Sequence, residues 1–292
     1  MILKDEFNNE VKIKLQQIIG NDNDLLFKDI SNKISDDYYF KYAFNDYFFK
    51  IATCNNFHYK PLCNEIRLGN INFANQLLKP KILFTYYSEN IVVKIEKRID
   101  SVPLANKRDD FSTRIDCDKT KLIEKIKLIS EVKLESDIKF PRFNRKVKIF
   151  KYIDECADLL NPTIIQKCPK IADYSVEDNL VFSHGDLIPG NILVSGDDFI
   201  FVDWEWVGFR SKTYDLVMFL LFSNIPNQIL LDFNNYFIDD NLLFSAYMDA
   251  VLISFHEIKN WKNEKIFTDN KDNMINMWRL TLQLALDLIE NF

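Results

Sequence analysis

Apolar residues recur at helical spacing over residues 7–19 (Phe7, Val11, Leu15, Ile18, Ile19) and stop at Gly20-Asn21, so the chain is expected to open on an amphipathic helix. β-branched and aromatic runs follow at 25–30, 38–44 and 47–52, separated by Ser-Asn-Lys and Asn-Asp turns, and read as three strands. A helix is expected over 62–68, after Pro61. Two more runs, 82–87 and 91–96, joined by Ser88-Glu89-Asn90, form a hairpin that brings the strands to five. Beyond Ser101-Val102-Pro103 the spacing turns helical, at 119–132, 147–160, 213–222, 225–237, 241–258 and 274–289, with Arg108-Asp109-Asp110 in a polar segment and 139–145 in a basic loop. The pattern predicts an α+β chain in two domains. Residues 1–100 form a five-stranded antiparallel sheet with one helix, and 101–292 form a mainly helical domain.

One stretch, 181–216, breaks the helical run. It holds four of the six glycines (Gly185, Gly190, Gly196, Gly208), one of three histidines and two of four tryptophans. It reads as an apolar run ending at Phe182, a polar loop, a tight hairpin turned at Ser195-Gly196-Asp197-Asp198, and a second apolar run ending in Asp203. A hairpin folds its ends together, so Asn191 at the start of one strand is expected near Asp203 at the end of the other. An amide oxygen and a carboxylate form a hard-oxygen pair suited to Mg²⁺, which otherwise relies on water and substrate phosphates. Asp186 is then a third carboxylate, placed to accept a proton from a hydroxyl, and the set is what phosphoryl transfer requires.

His184-Gly185-Asp186-Leu187-Ile188-Pro189-Gly190-Asn191, then Asp203-Trp204-Glu205-Trp206 and Tyr214-Asp215-Leu216, resembles the catalytic core of the aminoglycoside phosphotransferase and choline kinase superfamily. These are small-molecule kinases with a bilobal, protein-kinase-like fold. The resemblance implies an N-terminal nucleotide-binding lobe and a C-terminal catalytic and substrate-binding lobe. It also implies ATP or GTP as phosphate donor with Mg²⁺, and a small-molecule hydroxyl as acceptor. By position, Asp186 orients the acceptor hydroxyl, Asn191 and Asp203 hold Mg²⁺, and Lys50, in Phe48-Phe49-Lys50-Ile51-Ala52, reaches the nucleotide phosphates braced by Glu65. His184 and Asp215 support the loop, the latter through backbone amides at a helix start. Residues 96–98 correspond to the hinge that meets adenine.

Departures from protein kinases narrow the acceptor. Ile188 stands where a protein kinase carries lysine, Trp204-Glu205 replaces Phe-Gly, and eleven residues separate Asp203 from Asp215, too few for a peptide-docking segment. The expected turn between the first two strands, Ser31 to Asp37, has no glycine, whereas phosphate-covering loops use glycine for close approach of backbone amides. That keeps open a second reading, a kinase-like domain that binds nucleotide or a partner with little turnover. Glu205 and Trp206 are candidate substrate contacts. Trp206, with Trp261, Trp278 and Tyr247, could form an aromatic box for a quaternary ammonium, or Glu205, Asp239, Asp240 and Glu257 could face an aminoglycoside.

Composition excludes other classes. A formal charge of -6 argues against nucleic acid as a partner and suits a cationic substrate. Five cysteines lack metal-ligand spacing and read as reduced thiols. The N-terminus is charged from Lys4 onward and no long apolar run follows, so no membrane span and a cytoplasmic location are expected.

Overall fold

The computed structural model describes residues 2–20, 24–69, 79–105, 119–134, 139–173, 179–263 and 270–292. The polar segment Arg108-Asp109-Asp110 lies outside them. The chain divides into two compact units, Met1–Val102 with Leu193–Val207, and Pro103–Ile192 with Gly208–Phe292. Among the described residues no helix is long and apolar enough to cross a membrane.

The first unit is built on a four-stranded antiparallel sheet of β1 (Tyr39–Phe44), β2 (Tyr47–Thr53), β3 (Ile82–Tyr87) and β4 (Ile91–Lys97), in the order β1-β2-β4-β3. β2 and β4 are covered on both sides, and period-two alternation gives their two faces opposite characters. Phe49 and Ile51 on β2, with Val93 and Ile95 on β4, face a core closed by Leu3, Phe7, Val11, Leu15, Phe27 and Ile30 from the N-terminal helices. The other face carries Lys50 and Lys94, and beside them Ala52 and Val92 pack on Leu62, Cys63 and Ile66 of a helix.

The predicted five-stranded sheet with one helix is corrected on two points. Residues 25–30 are not a strand but lie in helix α3 (Asp24–Lys33), after α1 (Ile2–Glu6), a π-helical turn (Phe7–Val11) and α2 (Lys12–Ile19). The 3-4 spacing of Leu26, Phe27, Ile30 and Ile34 outweighed the local β-propensity, because that stripe packs onto the sheet core. Near the helix end the Ser31 hydroxyl lies 2.7 Å from both the Phe27 carbonyl and Asn8 Oδ1, and its one proton serves either acceptor. The first two strands are therefore joined at Asn45-Asp46, a two-residue turn in which Asn45 takes φ 48°, and not at residues 31–37. Helix α4 (Tyr59–Gly69) follows β2.

A three-stranded sheet orders β5 (Val102–Pro103), β7 (Ile192–Ser195) and β8 (Asp198–Phe201) as β5-β7-β8. In the second unit β6 (Val181–Ser183) pairs antiparallel with β9 (Gly208–Arg210). The remainder is helical: α5 (Lys119–Ile129), α6 (Arg145–Cys156), α7 (Pro162–Asp173), α8 (Tyr214–Leu221), α9 (Pro226–Leu231), α10 (Asp240–Asn263) and α11 (Lys271–Glu290). Trp278 of α11 and Tyr247 of α10 are buried in this core, and Tyr247 stacks on Phe233 at 5.8 Å.

The helical assignment of 24–33 separates two neighbours that a strand would put on one face. Phe27→Ala removes a fully buried ring and is expected to cost about 3–5 kcal/mol in urea denaturation. Leu25→Ala, at a position 85% exposed, should change stability by less than about 0.5 kcal/mol. Equal losses at both would restore the strand.

Candidate functional site

Lys50 is the central residue of β2 and has no solvent-exposed surface. An ammonium buried there is tolerable only if anions surround it. Glu65 Oε2 of α4 lies 2.7 Å from its Nζ, Asp203 Oδ1 at 2.5 Å and Glu205 Oε1 at 2.9 Å. Burial works against the charge, but the three carboxylates outweigh it and raise the Lys50 pKa well above the ordinary lysine value. The sheet register sets Lys41 of β1 and Lys94 of β4 directly opposite Lys50, making a row of three lysines across three strands. Lys94, also buried, pairs with Glu65 Oε1 at 2.9 Å and with Glu96. Lys41 pairs with Asp203 Oδ2.

Asp203 follows β8, after a hairpin turned on Gly196 at φ 59°. It sits in the left-handed region, φ 65° and ψ 52°, a conformation uncommon for a residue with a Cβ and typical of strained functional positions. Burial raises its pKa, yet Lys50 and Lys41 prevail and hold the carboxyl far below the usual range. A 3₁₀ turn, Trp204–Trp206, follows, and its first amide donates to Glu65 Oε1 at 3.0 Å, tying α4 to the hairpin. Glu205 is also buried. It accepts from Tyr39 Oη at 2.7 Å and meets His58 Nδ1 at 2.7 Å, and despite burial its pKa is lowered by His58 and Lys50. Tyr39 and His58 stack at 3.9 Å, and Trp206 lies 6.2 Å from both Phe57 and His58.

In the second unit the Ser183–Asn191 loop is held from behind. Asp215, in the first turn of α8, accepts from Ser183 Oγ at 2.9 Å, from His184 N–H at 2.8 Å and from Gly185 N–H at 3.0 Å. Gly185 has φ 86°, which a side chain would strain. His184 is fully buried, with Nδ1 3.4 Å from the Asp186 amide. The Asn191 side-chain amide donates to the Asp186 carbonyl at 2.8 Å and to its Oδ2 at 3.3 Å. This fixes Asn191 and leaves its oxygen as the acceptor those bonds do not use. Arg210 of β9 stacks on Phe143 at 3.7 Å beneath the same loop.

The residues at 103–277 match the model of the choline/ethanolamine kinase family, which is more than half of the chain. The chain belongs to the choline/ethanolamine kinase family. No curated protein matches it in sequence. Solved structures share the fold at low identity. A choline/ethanolamine kinase family protein from Mesorhizobium loti is 15% identical, with 87% of this chain and 90% of that one covered and a TM-score of 0.59. Choline kinase LicA from Streptococcus pneumoniae is 16% identical, with 89% and 98% covered and a TM-score of 0.56. The aminoglycoside phosphotransferase APH(4)-Ia, solved with AMP-PNP and hygromycin B, is 14% identical, with 89% and 97% covered and a TM-score of 0.59. The architecture is thus the α+β kinase-like one, in a family of ATP-dependent small-molecule kinases.

Of the residues singled out in this kinase-family sequence, Lys50, Glu65, Asp203 and Glu205 meet in the first unit, and His184, Asp186, Asn191 and Asp215 meet in the second. Sequence reasoning passed over Lys41, Lys94, Tyr39 and His58, and read Glu96 for its backbone as the start of the hinge and not for the side chain that pairs with Lys94. Lys41 carried a usable signal, since a two-residue turn at Asn45-Asp46 fixes its pairing with Lys50. Lys94 carried none, because the pairing of β2 with β4 is non-local. As for a metal, oxygens of Glu65, Asp203 and Glu205 lie within 4.8 Å of one another. All three are engaged, Glu65 and Glu205 by lysines, His58 and Tyr39, and Asp203 by Lys50 and Lys41; Asp203 is the most exposed of them, and its carboxylate is a hard-oxygen donor of the kind that fits Mg²⁺ once a lysine moves aside.

Lys50→Met should destabilise the protein by about 3–5 kcal/mol at neutral pH, because three carboxylates lose their shared cation. The pH dependence has a definite sign. In the wild type Asp203 and Glu205 have folded pKa values below their unfolded ones, so their contribution is present above about pH 4–5 and is lost as pH falls. In Lys50→Met they gain from protonation, so the gap between the two proteins, read from urea midpoints, should narrow from pH 7 to pH 5. A gap that widened on acidification would refute the network. Asp215→Ala leaves two buried amides without an acceptor and should cost about 2–5 kcal/mol by the same measurement.

Proposed function

We propose that this chain is an ATP-dependent kinase that transfers the γ-phosphate to a hydroxyl of a small amino alcohol or aminoglycoside-like molecule. The observation that carries the reading is the buried Lys50–Glu65–Asp203 cluster, a lysine held by two carboxylates of which one sits in a left-handed turn. Membership of the choline/ethanolamine kinase family supports an acceptor that bears an amine, and the net charge of -6 suits a cation.

Lys50, pre-oriented by Glu65, neutralises phosphate charge without having to desolvate at the moment of transfer, since it is already out of water. Asp186 orients the acceptor hydroxyl and takes its proton, in a loop that Asp215 and Gly185 hold rigid. Asp203 and Asn191 are the residues that would hold Mg²⁺, which supplies charge neutralisation of the phosphates when bound. Glu205, buried against Lys50 and His58, acts in the ionic cluster, and Trp206 flanks it.

The test begins with thermal shift in Mg-ATP and Mg-GTP, followed by an ADP-release assay over choline, ethanolamine, aminoglycosides, homoserine and methylthioribose. Nucleotide should raise the melting temperature, and one acceptor class should release ADP. Asp186→Ala is expected to lower turnover about 10²–10⁴-fold with nucleotide binding kept. Asp203→Ala is expected to weaken Mg-nucleotide binding itself. Near wild-type turnover in Asp186→Ala would assign the proton acceptor elsewhere.

A further inference from the structure

We propose that Lys41 is a second phosphate-binding lysine, set on β1 directly opposite Lys50. The inference rests on the nucleotide-binding reading above and adds a residue to it.

The Asn45-Asp46 turn pairs Lys41 with Lys50, so their side chains leave the same face of the sheet at a directly opposed position. Like charges so placed repel, and the pair persists only if an anion lies between them. Asp203 fills that need, giving Oδ1 to Lys50 and Oδ2 to Lys41.

The two lysines differ in everything else. Lys50 is enclosed and shared among Glu65, Asp203 and Glu205, so its position is fixed. The Lys41 side chain is 38% exposed, and among the described residues Asp203 is its one ion-pair partner. A lysine ammonium has three donors on a flexible stem, so Lys41 can turn to a new anion at small cost.

The demand for such a cation comes from the backbone of this unit. Phosphates covered by a hairpin are usually held by backbone amides of a glycine-rich loop. Here no glycine lies between Gly20 and Gly69, and the Asn45-Asp46 turn is engaged elsewhere, its Asp46 carbonyl accepting from the Arg98 N–H. Without glycine to let amides approach closely, a side chain supplies the charge. Without Asp203, Lys50 keeps Glu65 and Glu205, and Lys94 keeps Glu65 and Glu96, so the loss falls on Lys41. When Asp203 turns its oxygens to a divalent cation, Lys41 loses its counter-ion. The anion that then satisfies it is the phosphate that arrives with the metal.

Calorimetric titration of the full chain with ATP, ADP and adenosine, in Mg²⁺, separates this role from a merely structural one. Lys41→Met should weaken ATP and ADP about tenfold, the scale of one charge-assisted contact, and leave adenosine affinity unchanged. Lys41→Arg, which keeps the charge, should recover most of the loss. If Lys41 only neutralises Asp203, Lys41→Met frees that carboxylate and Mg-ATP binds as tightly as before or more tightly, which overturns the proposal alone. A wild type that binds no nucleotide overturns both this proposal and the kinase reading. A melting temperature of Lys41→Met close to wild type shows that the fold is intact, as expected for a partly exposed side chain.

Discussion

The structure of the first unit depends on keeping one ammonium charged where there is no water. Lys50 carries its ammonium onto a face closed to water, and an unpaired charge there would cost more than the sheet could offset. Three carboxylates resolve this, and each arrives on a different piece of chain or at a different depth: Glu65 on α4, Asp203 at the end of the hairpin strand, Glu205 in the 3₁₀ turn. Satisfying the lysine therefore ties helix, hairpin and sheet together. The amide of Trp204 donating to Glu65 adds a neutral link along the same path.

The second unit solves a different problem with one carboxylate. The loop that carries Asp186 and Asn191 has backbone amides, at His184 and Gly185, that Asp215 pairs. Asp215, emerging at the start of α8, accepts two of them together with the Ser183 hydroxyl. The loop is thereby held by a helix end, and Gly185 supplies the one backbone conformation that lets consecutive amides turn to a single acceptor.

Much of this was legible in the sequence. The hairpin at 82–87 and 91–96, the paired strands at 39–53 and the long C-terminal helices follow from periodicity, because each packs one face on its own local neighbours. Asp186, Asn191 and Asp203 were singled out by spacing, and Asp215 by the resemblance to known kinases. The failure at 25–30 has a plain cause: six residues rich in Leu, Phe and Ile fit a strand as well as a helix, and the tertiary contact of Phe27 and Ile30 with the sheet decided the matter. The pairings of Lys94 with Glu65 and of His58 with Glu205 were illegible for another reason. They lie across strand pairings and chain segments that no local window contains, whereas Glu96 meets Lys94 two residues away on the same strand.

β2 carries apolar side chains on one face and the lysine row on the other, and this makes the sheet intolerant of misalignment. A slip of one residue against its neighbours would turn Lys50 toward Phe7, Phe27 and Ile30, and would set Phe49 and Ile51 against Glu65 and Glu205. An all-apolar strand could slide with little penalty, since one buried aliphatic face resembles another. The charged row thus acts as a registration key during assembly of the fold, selecting one alignment from several that hydrophobic burial alone would accept.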